Sequence, residues 1–150
     1  MNPLPLFGAC LALVVVVRQE ESAAPPPLEL RSHARLSEEL HGIASDHAGL
    51  AEVLKLGTSR GGRALEALRL AGAGHEAERS RPAILLVANV DGARVYASAV
   101  ALHHARALSE GYGTDPKITA LLDSTTIYVV PRANPDAAEA RFATPRFEAH

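Results

Sequence analysis

The sequence predicts an α/β fold with three α/β/α layers built on a mixed, mostly parallel sheet. Two observations support this prediction. Residues Ala83 to Val90 are apolar nearly throughout instead of alternating with polar residues, a pattern typical of a strand buried on both faces of a sheet. Helical and strand patterns also alternate along the chain, without an internal repeat. We therefore expect Ala83 to Val90 to form the central strand of one domain.

The composition limits the class of protein. With 150 residues and 47% hydrophobic content, the chain can bury the core of one domain. The 17 acidic and 15 basic side chains are interspersed, which excludes the concentrated basic face that a nucleic-acid partner requires. Cys10 is the single cysteine, so neither an intrachain disulfide nor a cysteine zinc cluster can form. Any bound metal must be held by His, Asp or Glu.

The N-terminal segment contains an apolar run that ends with Val14 to Val17. Its length of about 14 residues is short for a membrane span of roughly 20 and suits a secretory signal peptide. We expect residues 1–21 to be a signal peptide and the protein to be secreted or extracytoplasmic. No Lys or Arg precedes the run and no small-x-small cleavage site follows it directly, so an uncleaved membrane anchor is the alternative. An ordinary disordered terminus is the third interpretation.

A linker separates this segment from the folded part of the chain. Residues 22–30 contain the successive prolines Pro25 to Pro27, which fix φ and remove backbone donors. Residues 31–150 then begin with an amphipathic helix, because apolar side chains recur there at helical spacing. These side chains are Leu36, Leu40 and Ile43, and Gly49 ends the segment.

Two strands and a glycine-rich turn follow this helix. Val53 to Leu56 and Ala64 to Leu70 are predicted to pair as a hairpin through the turn Gly57 to Arg63, where three glycines permit unusual dihedrals. Gly72 to Arg81 is a polar loop that leads into the apolar strand.

The second half of the folded part alternates helices with a strand. A helix is expected from about Val95 to Glu110, because small apolar residues line one face and glycines follow it. Asp115 before Pro116 indicates the start of a short helix, with proline at the first helical position. That helix leads into the strand Thr125 to Val130.

Four sequence blocks point to a known family. They are Gly57-Thr58-Ser59 with Gly62-Arg63, then Tyr112-Gly113-Thr114-Asp115-Pro116, then Leu121 to Ser124 with Ile127 to Pro131, and finally Asn134-Pro135-Asp136. In this order and separation they resemble the N-terminal half of the catalytic domain of zinc carboxypeptidases. The resemblance implies an incomplete carboxypeptidase-like domain in residues 31–150. It also implies zinc as the cofactor and the C-termini of peptides or proteins as partners, with a membrane involved only if the N-terminal segment is uncleaved.

The zinc-binding motif of the family is replaced in this chain. The family takes its first two zinc ligands from a His-x-x-Glu motif in the loop after a buried strand. Aligned on the block that Tyr112 opens, Asp91 stands at the His position and Arg94 at the Glu position. A register shifted by one residue puts Gly92 and Val95 there instead. Neither register supplies a His or a Glu.

Asp91 is the candidate metal ligand that remains, since a carboxylate oxygen can bind zinc. Arg94 cannot ligate, because its guanidinium has no lone pair and is permanently charged. Alternatively, Asp91 caps the helix that follows it. Arg94 is then either a solvated residue or the partner of Asp91 in an ion pair that replaces the cation.

Other residues have weaker claims to a functional role. His103 and His104 are predicted to be exposed on a helix, because no metal-ligating residue follows either at the required spacing. Arg141 and Arg146 lie where the resemblance implies an arginine that stabilises an oxyanion, which makes Arg146 a candidate substrate-binding residue. Asn134-Pro135-Asp136 lacks the glycine that follows it in the family, and is predicted to be a turn.

Two hypotheses from different classes follow. The first is an exported zinc metallocarboxypeptidase that hydrolyses C-terminal residues of peptides, of which this chain is one part. The second is a catalytically inactive carboxypeptidase-fold module that binds peptide or cell-wall material, which the replacement of both motif residues favours.

Overall fold

The computed structural model describes residues 30–72 and 81–143. The elements in chain order are α1 (His33–Asp46), β1 (Ala51–Thr58), β2 (Ala64–Leu70), β3 (Ala83–Val87), α2 (Tyr96–Gly111), α3 (Pro116–Ser124), β4 (Thr126–Val130) and α4 (Pro135–Ala143). The expected signal peptide, most of the linker, the greater part of the loop before β3, and Arg146 lie outside the described residues.

The four strands form one sheet in the order β1-β2-β4-β3. β1 pairs with β2, and β2 with β4, in antiparallel fashion. β3 pairs with β4 in parallel. The predicted α/β fold with a mixed sheet is confirmed, although only one of the three neighbouring pairs in the described part of the chain is parallel.

The prediction that Ala83 to Val90 forms the central strand is wrong for the described part of the chain. β3 lies at the edge of the sheet, with β4 as its one described neighbour. Ile84 is 50% exposed and Leu85 64% exposed. Apolar composition indicates that a strand can be buried on both faces, but it does not specify what covers them.

The core lies between the sheet and the helices α1 and α2. In the register of β2 with β4, Leu68 faces Val129 and Leu70 faces Ile127, so these four side chains share one face of the sheet. All four are at least nine-tenths buried. The apolar stripe of α1 packs against them, as its spacing predicted; it consists of Leu36, Leu40 and Ile43. Burial of a side chain of this size contributes about 1.5–3 kcal/mol.

Helix starts follow the sequence signals. The Asp115 carboxylate accepts hydrogen bonds from the backbone N–H groups of Lys117 at 2.8 Å and Ile118 at 3.5 Å, which confirms the predicted start of α3. The turn predicted at Asn134 is instead the start of α4. Asn134 Oδ1 accepts from the Ala137 N–H at 3.2 Å, and Pro135 occupies the first helical position.

No helix within residues 30–72 and 81–143 combines the length and the apolar composition that crossing a bilayer requires.

Candidate active-site edge of the sheet

Two loops meet where β3 and β4 end. The Ala133 N–H donates to the Ala88 carbonyl at 3.0 Å, and the Asn134 N–H donates to the Asn89 carbonyl at 3.1 Å. The Asn134 side chain adds a hydrogen bond from Nδ2 to the Val90 carbonyl at 3.4 Å. These bonds join the loop after β3 to the start of α4, at the carboxyl edge where ligands of α/β sheets bind.

Asn89 is the most unusual residue of this edge. Its φ of 54° lies in the left-handed region, which asparagine tolerates better than most residues. The side chain is 3% exposed, and neither Oδ1 nor Nδ2 has a hydrogen-bond partner within the described ranges. A buried polar group without a partner costs about 1–3 kcal/mol, so its presence points to a functional position. Asn89 was not predicted as a site residue, because neither its burial nor its backbone angle is visible in the residue order.

Asp91 and Arg94, the residues that the sequence aligned with the zinc motif in one of its two registers, form an ion pair. Asp91 Oδ2 lies 3.1 Å from Arg94 Nε, and Asp91 Oδ1 accepts a hydrogen bond from the Arg94 backbone N–H at 3.2 Å. The predicted ion pair between these two side chains is therefore present, and its replacement of a cation stays a prediction. Asp91 does not cap α2, because that helix begins at Tyr96 with Val95 as its N-cap residue. The carboxylate closes the turn that precedes the helix.

A second contact brings the hairpin turn between β1 and β2 to the same edge. The Asp136 carboxylate, in the first turn of α4, accepts hydrogen bonds from Ser59 Oγ at 2.8 Å and from the Gly61 N–H at 2.9 Å. It also forms an ion pair with Arg63 Nη1 at 2.8 Å. The hydrogen bond from Gly61, followed by those from Ser59 and Arg63, lowers the pKa of Asp136 below its ordinary value.

This network joins two of the blocks that carried the family resemblance. Gly62-Arg63 and Asn134-Pro135-Asp136 were both recognised in the sequence, but the contact between them was not predicted. They are 73 residues apart in the sequence. Their common membership of the four ordered blocks was the signal that could have linked them.

The described residues do not fit the zinc ion that the family implies. No group of three or more His, Cys, Asp or Glu in the described part of the chain could hold a metal ion. Asp91 is the single carboxylate of the loop between β3 and α2, and both of its oxygens already contact Arg94. His103 and His104 are exposed on α2, as predicted.

Comparison with known proteins supports the fold and the order of the blocks. The family model for zinc carboxypeptidases matches residues 36–148. Carboxypeptidase A2 of Rattus norvegicus is 32% identical over 99 residues, which cover 66% of this chain and 22% of that protein. Carboxypeptidase M of Mus musculus is 32% identical over 115 residues, covering 75% of this chain and 26% of that protein. The chain therefore spans about a quarter of the length of these relatives.

Solved structures agree at the level of the fold. Thrombin activatable fibrinolysis inhibitor superposes with a TM-score of 0.68 at 17% identity, over 75% of this chain and 27% of that one. Carboxypeptidase A of Helicoverpa armigera superposes with a TM-score of 0.67 at 19% identity, over 76% of this chain and 27% of that one. With the family model matching most of its residues, the chain belongs to the zinc carboxypeptidase family.

Proposed function

We propose that this chain forms the peptide-binding edge of a carboxypeptidase-type domain that holds the C-terminal segment of a peptide without zinc-dependent hydrolysis. The observation that carries the proposal is the ion pair between Asp91 and Arg94 at the positions of the family's first two zinc ligands. In a member of the family that keeps the motif, zinc would polarise the scissile carbonyl and activate a water. The donor set found at this loop does not support that chemistry.

The charge of Arg94 is the main argument against a metal at this loop. A guanidinium is permanently positive and offers no lone pair, so it opposes a dication nearby. Arg94 also occupies both Asp91 oxygens, one through its side chain and one through its backbone N–H. A metal would have to displace both contacts before it could use the carboxylate.

The same edge keeps groups that suit a peptide ligand. Arg63 is 36% exposed and uses Nη1 for Asp136, and no other hydrogen bond from its guanidinium is found within the described residues. A guanidinium donates strongly to carbonyl and carboxylate oxygens. These donors support binding at the edge without a metal.

Zinc-dependent hydrolysis of C-terminal residues is the second candidate function. The match of the zinc carboxypeptidase model to residues 36–148 favours it. The chain spans 22% of carboxypeptidase A2, so further ligands would have to come from outside the described residues. Asp91 would then be the first ligand. Under either function we also propose export, which the apolar N-terminal run supports.

Zinc content and peptide affinity distinguish the two candidates. The protein is loaded with excess zinc, dialysed and analysed for metal, with an Asp91→Ala variant beside it. A peptide with a free C-terminus and its C-terminally amidated twin are then titrated by calorimetry in the presence of a chelator. We expect no retained zinc, and an affinity about tenfold higher for the free carboxylate. One retained zinc per chain that Asp91→Ala abolishes would instead support the hydrolase.

A further inference from the structure

We infer that Asp136 is a positioning residue, whose carboxylate sets the direction in which the Arg63 guanidinium points. The inference rests on the proposed function only for the ligand that Arg63 would meet. The positioning itself is carried by the contacts between α4 and the hairpin turn.

The contacts form a closed ring. Ser59 Oγ donates to Asp136 Oδ1 at 2.8 Å and accepts from the Arg63 backbone N–H at 3.0 Å. Arg63 Nη1 donates a hydrogen bond to the same Asp136 oxygen at 2.8 Å. The side-chain end of Arg63 is therefore tied to the Asp136 carboxylate directly, and its backbone N–H is tied to it through Ser59 Oγ. A long side chain fixed at both ends loses most of its rotational freedom, and its remaining donors keep one direction.

Gly61 allows the carboxylate to come this close to the turn. Its N–H donates to Asp136 Oδ2 at 2.9 Å, and a β-carbon added at Gly61 would overlap Asp136 Oδ1. A larger residue would displace the carboxylate from the ring. The absence of a side chain at Gly61 therefore makes room for the contact between the turn and α4.

The helix that carries Asp136 is itself well anchored. Ala138 is fully buried, and Asn134 caps the first turn of the helix. One turn further on, Glu139 accepts a hydrogen bond from the His33 N–H at 2.6 Å and pairs with the buried Arg132 at 3.5 Å. Asp136 thus lies on a helix that is anchored by burial and hydrogen bonds, whereas Arg63 lies on a turn. We therefore infer that the carboxylate on the helix orients the arginine on the turn, and not the reverse.

An NMR measurement tests this relationship on the 150-residue protein without any ligand. The side-chain Nε–H signal of Arg63 is recorded for the wild type, for Asp136→Asn and for the control Asp123→Asn. Asp123 is a fair control, because it is a helical carboxylate that accepts a hydrogen bond from the Tyr112 hydroxyl at 2.8 Å, away from this edge. We expect Asp136→Asn to move the Arg63 signal to the position of a freely rotating arginine. We expect the control to leave it unchanged.

An unchanged Arg63 signal in a folded Asp136→Asn protein would overturn the inference. If Asp136→Asn does not fold, the wild-type protein is titrated with acid instead. We then expect the Arg63 Nε–H and Asp136 carboxyl signals to change with one common midpoint. Separate midpoints would overturn the inference. Peptide titration is a separate readout, in which Asp136→Asn should lower the affinity about tenfold. A wild type that binds no peptide would refute the proposed function while the Arg63 signal still reports on the positioning role.

Discussion

Gly92 and Ala137 pack so closely that a β-carbon added at Gly92 would overlap the Cβ of Ala137. Gly92 lies in the loop after β3 and has a φ of 71°. Ala137 stands in α4, directly after the Asn134-Pro135-Asp136 block. The methyl group of Ala137 therefore occupies the space that a side chain at position 92 would need. The two positions are coupled, and a side chain is tolerated at one of them because the other is a glycine.

We expect Gly92→Ala to destabilise the protein by about 2–5 kcal/mol. Strain at positive φ contributes about 1–2 kcal/mol, and the overlap with Ala137 contributes about 1–3 kcal/mol. Urea unfolding followed by circular dichroism measures the change. Gly113→Ala is the control for strain alone, since Gly113 has a φ of 80° and open space around it. Equal losses of unfolding free energy in Gly92→Ala and Gly113→Ala would contradict the close packing of Gly92 against Ala137.

The position of β3 gives a second prediction. Leu85 is 64% exposed on the edge strand, whereas Leu68 in β2 is fully buried. We expect Leu85→Lys to change the free energy of unfolding by less than about 0.5 kcal/mol. Leu68→Ala should cost about 2–5 kcal/mol through lost burial and a cavity. A loss of several kcal/mol for Leu85→Lys in the same urea titration would show that Leu85 is covered.

The fold was largely predictable because local signals agreed with tertiary packing. The spacing of Leu36 and Leu40 predicted α1, and Asp115 before Pro116 predicted the start of α3. The place of β3 in the sheet was not predictable, because strand order depends on which partners are present. The start of α4 at Asn134 was missed because asparagine before proline is compatible with both a turn and a helix cap.

The candidate site was predictable only where neighbouring residues determine it. The ion pair of Asp91 with Arg94 follows from a spacing of three residues. The ring of Asp136 with Ser59 and Arg63 depends instead on the packing of α4 against the hairpin, which no local pattern encodes.

The buried amide of Asn89 gives a third prediction. We expect Asn89→Gly to stabilise the protein by about 1 kcal/mol. The variant removes a polar group without a partner and suits the positive φ, while glycine costs about 0.5–1 kcal/mol of extra chain entropy. Thermal unfolding by calorimetry measures the change. Asn134→Ala is the matched control, because that asparagine caps α4 and its loss should cost about 1 kcal/mol. A destabilised Asn89→Gly protein would mean that the amide has a stabilising partner.

His33 gives the fourth prediction, for the dependence of stability on pH. Burial and then the charge of Arg132 lower the pKa of His33 below its ordinary value of about 6.5. The folded state therefore favours the neutral ring, and the unfolded chain takes up the proton first as the pH falls. The stability that the neutral His33 ring contributes is fully present above about pH 6.5. It is lost as the pH falls from there toward the lower pKa of His33 in the folded state.

We therefore expect the free energy of unfolding to fall between pH 7.5 and pH 5.5, and to fall less in His33→Asn. Urea titrations at a series of pH values measure both slopes. His104→Asn removes an exposed imidazole from α2 and shows how far the loss of a surface histidine alters the slope. A steeper fall of the unfolding free energy in His33→Asn than in the wild type would contradict the prediction, because it would mean that the folded state stabilises the protonated ring. Arg132, 1% exposed beside Glu139, makes that outcome electrostatically unfavourable.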